Sequence, residues 1–244
     1  MGPMTDAERF RFDLQGFLVR RGALSAGDVA ALNVAIDVLH VPPPGADIGS
    51  QRFSGFLPVA RRFRDLMDHP AVLDVVRETC GPNVRLDHVY GIVMAKGTSG
   101  LSLHGGGTPF DPAQHYRTDS GRIRTGLMAV QWALVDHPPG SGGFVCVPGS
   151  HKSAFPLPPT FDRELAVHVP LAAGDVVIFT EALTHGTLPW QGDRQRRTLL
   201  YKYSPGNSAY SQAPWPPELV EACTERQRLL LQPPSVGGHR PVVP

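Results

Sequence analysis

The chain has 244 residues, with 23 Lys and Arg against 22 Asp and Glu, a formal charge of +1 and 41% hydrophobic residues. That is enough chain for a single domain burying roughly three quarters of its unfolded surface. So even a balance argues against the basic face of a nucleic-acid or anionic-membrane binder. No apolar run approaches the about 18 residues of a membrane span, and Met1-Gly2-Pro3-Met4-Thr5-Asp6 has no basic segment leading into an apolar one, so a soluble, cytoplasmic protein is expected.

In chain order, Val29, Leu32, Ile36 and Leu39 repeat at helical spacing behind Ser25 and Asp28, which resemble a capping box, and this predicts a helix over 24–40. The breaker Val41-Pro42-Pro43-Pro44-Gly45 ends it. A second helix is expected from Pro70, through Leu73, Val76 and Arg77, to a stop at Gly81-Pro82. The first 82 residues therefore read as helical packing for a core built by the rest of the chain. Strand-like runs come next, over 84–94, 125–135, 144–148, 165–170, 176–180 and 198–203, parted by Gly, Pro and Asp turns. Their spacing predicts a mainly β sandwich or barrel over about 83–204, within one domain. The glycine-rich stretch 96–124 reads as a functional loop. A proline-punctuated extension, 205–244, carries one helix over 218–231. Cys80, Cys146 and Cys223 are too far apart for a disulfide framework or a paired-cysteine metal site, and are expected reduced and buried.

Two histidines stand where chemistry is plausible. His104 follows Leu101-Ser102-Leu103, and His185 follows the strand Val176-Val177-Ile178-Phe179-Thr180. Two neutral imidazoles on neighbouring strand ends can hold iron, manganese or zinc and leave other positions open. A hydrogen-bonded or surface role is the alternative for any one of ten histidines. Arg196, in Arg196-Arg197-Thr198, opens the last strand, where its guanidinium could fork onto the carboxylate of a metal-chelating acid.

The order of Trp132-Ala133-Leu134, Pro148-Gly149-Ser150-His151, Gly174-Asp175, His185-Gly186 and Arg196 resembles the phytanoyl-CoA dioxygenase-like family of iron(II)/2-oxoglutarate-dependent oxygenases, over about 10–203. The resemblance implies a double-stranded β-helix, the jelly-roll or cupin-like core, with flanking helices. It also implies His104 and His185 as iron ligands, Arg196 at the distal carboxylate of 2-oxoglutarate with Trp132 on the cofactor side, and oxygen as co-substrate.

The departure is Gly106, because the family pattern is His-x-Asp and glycine cannot ligate through a side chain. Iron(II), two neutral histidines and doubly ionised 2-oxoglutarate sum to zero charge, where the aspartate would give minus one. Chloride would restore both charge and ligand, and Gly106 would leave room for it. This substitution is similar to that of the iron/2-oxoglutarate halogenases, so radical halogenation of an unactivated C–H bond is the leading expectation. Small free-standing enzymes of that kind chlorinate the sugar of a purine nucleotide, such as deoxyadenosine monophosphate. Three alternatives stay open: a carboxylate from elsewhere (Asp111, Asp136 or Glu181) supporting hydroxylation, a water in the gap, or a binding module without catalysis. Glu181, four residues before His185, is also a candidate substrate contact or halide neighbour. For a free small-molecule substrate, Lys96, Phe110, His115, Tyr116 and Arg117 are the candidate contacts, with a solvated polar lid as the other reading.

Overall fold

The computed structural model describes residues 3–41, 50–106, 111–160, 163–211, 214–238 and 240–243. The first helix, α1 (Asp6–Gln15), starts at Thr5, whose hydroxyl accepts from the Glu8 N–H while the Glu8 carboxylate accepts from the Thr5 N–H. It stops at Gly16, which takes the left-handed φ of 83°. Strand β1 (Phe17–Arg20) comes directly after it. Then come α2 (Ala26–Val38), β2 (Gln51–Phe53), α3 (Arg61–Asp65) and α4 (Leu73–Cys80). The part expected to be purely helical thus also supplies two strands.

The remaining strands are β3 (Arg85–Met94), β4 (Leu101–His104), β5 (Tyr116–Asp119), β6 (Arg122–Thr125), β7 (Met128–Ala133), β8 (Gly143–Cys146), β9 (Val167–His168), β10 (Val176–Thr180), β11 (His185–Leu188) and β12 (Arg196–Ser204). After them lie α5 (Pro217–Glu221) and α6 (Glu225–Leu230), where one helix was expected. The break falls at Thr224, which caps α6 reciprocally with Gln227. The expected functional loop over 96–124 contains β4, β5 and part of β6. Within it Ser120 and Gly121 take φ of 50° and 73°, the pair of positive angles a two-residue hairpin turn needs.

The strands pair antiparallel into a six-stranded sheet ordered β1-β10-β7-β12-β3-β2 and a four-stranded sheet ordered β4-β11-β8-β9, with β5-β6 as a separate hairpin. The two larger sheets face each other as a jelly-roll, the double-stranded β-helix. Residues on alternate faces of the six-stranded sheet enter different cores. Met128, Val130, Trp132, Val176, Ile178, Leu199, Tyr201 and Tyr203 pack with the helices. On that side the Tyr201 and Tyr203 hydroxyls donate to the carbonyls of Phe63 and Met67, at 2.7 and 2.8 Å. The other face points between the sheets, where Ala129, Ala133, Val177 and Phe179 meet Phe144 and Cys146. Ile92, Met94 and Leu200 meet Val135 and Trp190 there in a second cluster. The three cysteines are buried and free. Among the described residues no helix is long and apolar enough to cross a membrane.

Candidate active site

β4 and β11 lie side by side, and their Cα register sets His104 directly opposite His185. The two rings stand 4.3 Å apart, centroid to centroid. Each is fixed by its own backbone: His104 Nδ1 lies 2.9 Å from the Ser102 carbonyl, and His185 Nδ1 lies 2.7 Å from that of Leu183. A carbonyl can only accept, so both Nδ1 atoms carry the proton and both Nε2 lone pairs are free for a metal. Burial, partly offset by Glu181, draws the His185 pKa down to about 4, which keeps that ring neutral near pH 7.

From His185, β11 runs to Leu188, which pairs with Gly143 of β8. That is about 10 Å along the strand. A Cβ built on Gly143 would lie 3.6 Å from Arg196 Nε and 3.3 Å from His137 Nδ1, so both side chains point between the sheets at this depth. Arg196 is 0% exposed. One of its nitrogens rests 3.2 Å from Met94 Sδ, while Nε and Nη2 have no hydrogen-bond partner among the described residues. Burial lowers its pKa to about 10, which leaves it a cation without a counter-charge among the described residues. Thr198 Oγ1, Gln131 Nε2 and both His137 nitrogens are likewise buried and unpartnered among the described residues. Unmet buried donors cost about 1–3 kcal/mol each, more when charged. A carboxylate arriving beside Arg196 would satisfy several at once, so these residues fit a short diacid reaching from the histidines to the guanidinium.

The turn between β10 and β11 carries the third element of the site. Glu181 is 6% exposed, and its Oε1 lies 3.9 Å from His185 Nε2. The same carboxylate is ion-paired with Lys202, a buried residue on the inward face of β12. Burial works to raise the Glu181 pKa, but Lys202, His185 and His104 together outweigh it and hold the carboxyl down to about 2. Lys202 Nζ also lies 5.8 Å from the Tyr90 ring centroid. Beyond it, Tyr90, His88 and Tyr210 form a run of near-parallel rings, with centroids 5.9 Å apart in each adjacent pair and interplanar angles of 13° and 25°. Arg52 covers Tyr90 at 4.7 Å.

Gly106 lies against the turn between β10 and β11. Its φ is +61°, and a Cβ there would meet Thr184 Oγ1 at 2.6 Å and the Ala182 carbonyl at 2.8 Å. A Cβ on Gly105, at φ +81°, would crowd the carbonyls of Glu181 and Leu183 as closely, at 2.7 and 2.8 Å. The direction a Cβ would take at 106 is therefore filled by the 181–184 turn. The two glycines let the chain after His104 lie flat against the turn that bears Glu181.

His104, His185 and Glu181 come together, with Arg196 deeper between the sheets. Trp132 does not join them: it sits on the helix-facing side of β7, edge-on to His69 at 5.0 Å. Its neighbour Gln131 takes the inward position. Lys96 leaves β3 beside Met94, which pairs with Arg196, so it emerges at the end of the sandwich away from the histidines and pairs with Asp193 at 2.6 Å. Tyr116 donates its hydroxyl to Asp13 and packs edge-on against His151, with ring centroids 4.4 Å apart, a structural placement. Arg117 is exposed on the hairpin opposite Arg124, and His115 lies 3.4 Å from the Pro112 carbonyl. Phe110 lies outside the described residues. Thr198, Gln131, His137, Lys202 and the His88–Tyr90–Tyr210 run were not singled out from the sequence. The available signal was three polar residues on one face of β12, Arg196, Thr198 and Lys202, interrupted there by Leu200, in a strand otherwise rich in apolar and aromatic residues.

The family model of phytanoyl-CoA dioxygenase (PhyH) matches residues 12–198. No curated protein matches the chain. Among solved structures, HygX from Streptomyces hygroscopicus with nickel, 2-oxoglutarate and hygromycin B bound superposes with a TM-score of 0.74 at 26% identity, over 83% of this chain and 88% of that one. The 2-oxoglutarate-dependent carbocyclase SnoK of nogalamycin biosynthesis gives 0.65 at 19% identity, over 85% and 88%. The epimerase SnoN of the same biosynthesis gives 0.63 at 22%, over 83% of each chain, and these two likenesses speak for the fold alone. The chain belongs to the phytanoyl-CoA dioxygenase (PhyH) family and is an enzyme of the iron(II)/2-oxoglutarate-dependent oxygenase class.

Proposed function

We propose that the enzyme uses iron(II), 2-oxoglutarate and oxygen to hydroxylate a C–H bond of a free, ring-bearing small molecule in specialised metabolism. The observation that carries this is Arg196, a fully buried guanidinium with two unpartnered nitrogens, set one strand length from two histidines that present free Nε2 atoms. Bound iron would couple decarboxylation of 2-oxoglutarate to oxidation of the substrate. His104 and His185 hold the ion, while Arg196, with Thr198, Gln131 and His137 beside it, receives the distal carboxylate. The His88–Tyr90–Tyr210 rings supply flat apolar faces near Lys202, suited to stacking on a planar or cyclic substrate. Hygromycin B in HygX supports a free small molecule as substrate.

Halogenation is the second reading, with the sugar of a purine nucleotide as its substrate, and the lack of a side chain at Gly106 favours it. Against it stand the filled space at Gly106 and a buried carboxylate, Glu181, beside the site, which repels a halide. Anaerobic loading with iron(II) and 2-oxoglutarate, then oxygen and a panel of nucleosides, aminoglycosides and polycyclic aromatics, tests both. The expected result is succinate formation matched by a product carrying one more oxygen, with or without chloride. A chlorinated product would replace the first reading by the second, and no substrate-stimulated loss of 2-oxoglutarate would sink both.

A further inference from the structure

Resting on the oxygenase reading above, we propose that Glu181 is the third protein ligand of the metal, supplying from the β10–β11 turn the carboxylate that Gly106 does not. Two donors each about 2.1 Å from one ion stand about 3.0 Å apart at right angles and about 4.2 Å apart on opposite sides. The 3.9 Å between Glu181 Oε1 and His185 Nε2 is about 0.9 Å beyond the right-angle separation, a gap that a small turn of the Glu181 side chain would close. Among the described residues no three His, Cys, Asp or Glu side chains already converge on one metal position, since the Glu181 carboxylate is drawn to Lys202. A carboxylate has two oxygens and about four acceptor sites, so it can serve an ammonium and a metal together.

Two further observations point the same way. The other carboxylates considered are engaged elsewhere: Asp111 accepts from the Ala113 N–H at 2.8 Å and from Gln114, and Asp136 accepts from the Ala173 N–H at 2.8 Å. Gly105 and Gly106 have a purpose that needs no halide, because only residues without a Cβ let the end of β4 approach the 181–184 turn so closely. Lys202 pairs with the Glu181 carboxylate and steadies it beside the histidines.

The test is anaerobic titration of the full-length protein with iron(II), following affinity and the visible absorption of its 2-oxoglutarate complex, with and without chloride. Glu181→Gln, which keeps size and a partner for Lys202, should weaken iron(II) binding at least about 100-fold, beyond the usual cost of losing an outer hydrogen-bond partner. Glu181→Ala should regain part of that affinity with formate or chloride, and its absorption should shift on adding either. Wild-type absorption should ignore chloride, a measurement that needs no variant to fold. Glu181→Gln binding iron(II) within about threefold of wild type, or a wild-type spectrum that shifts with chloride, would overturn the assignment while leaving the oxygenase reading intact. A wild-type protein that binds neither iron(II) nor 2-oxoglutarate would remove both.

Discussion

Arg196 is expensive to the folded protein as it stands, because nothing among the described residues compensates a guanidinium that is 0% exposed. Replacing an uncompensated buried charge with an apolar side chain of similar length is often neutral or stabilising. Arg196→Met should therefore leave the melting temperature of the cofactor-free protein unchanged or raised. The same variant should lose about 2–5 kcal/mol of 2-oxoglutarate binding, roughly 30- to 5,000-fold in Kd, by calorimetry on the nickel-loaded protein. A structural arginine would behave the opposite way, with a lowered melting temperature and unchanged affinity. His104, His185 and Arg196 were legible as residues because each follows or opens a strand-like run. The use of Gly106 was not, since a sequence reports the missing side chain but not what presses against its backbone.

At the scale of elements, strand positions were readable and strand faces were not. All six residues of β7 are buried, as are eight of the nine in β12, so neither shows the alternation of exposure that would mark its inward face. Trp132 was thereby assigned to the cofactor side, although the pleat gives that side to Gln131. The hairpin β5–β6 was hidden for another reason: its polar strands bury little, and Ser120-Gly121 reads as generic turn chemistry. The two faces of β7 should separate by mutation. Gln131→Leu should raise the KM for 2-oxoglutarate several-fold with little change in melting temperature. Trp132→Phe should lower the melting temperature by several degrees, for about 1–2 kcal/mol of lost packing, and leave that KM alone.

Across the whole molecule, one carboxylate gathers several of the bonds that tie the C-terminal extension to the sheet. Asp87 of β3 accepts from Arg85 and His88 at 2.7 Å, from Ser204 Oγ at 2.9 Å, and from the Tyr210 and Ser211 N–H groups at 2.8 and 2.9 Å. Burial works to raise its pKa, but these donors outweigh it and hold the carboxyl well below the usual range. A carboxyl depressed on folding stabilises fully above its unfolded pKa of about 3.9, and that contribution fades as pH falls toward the folded value. Asp87→Asn should cost about 2–3 kcal/mol at pH 7, with the gap from wild type closing only well below pH ~4, read from denaturant unfolding across pH. Since Asp87 also positions Tyr210, the variant should loosen one end of the aromatic run.

The two sheets are not equally supported. The six-stranded sheet is backed by the helices, whereas Leu101, Val167 and Leu188 of the four-stranded sheet are exposed. His104 and His185 belong to the second sheet, while Arg196, Thr198 and Gln131 belong to the first. A metal and a diacid held by both sets would act as a clasp through the middle of the sandwich, so loading the enzyme is also what stiffens its lighter wall.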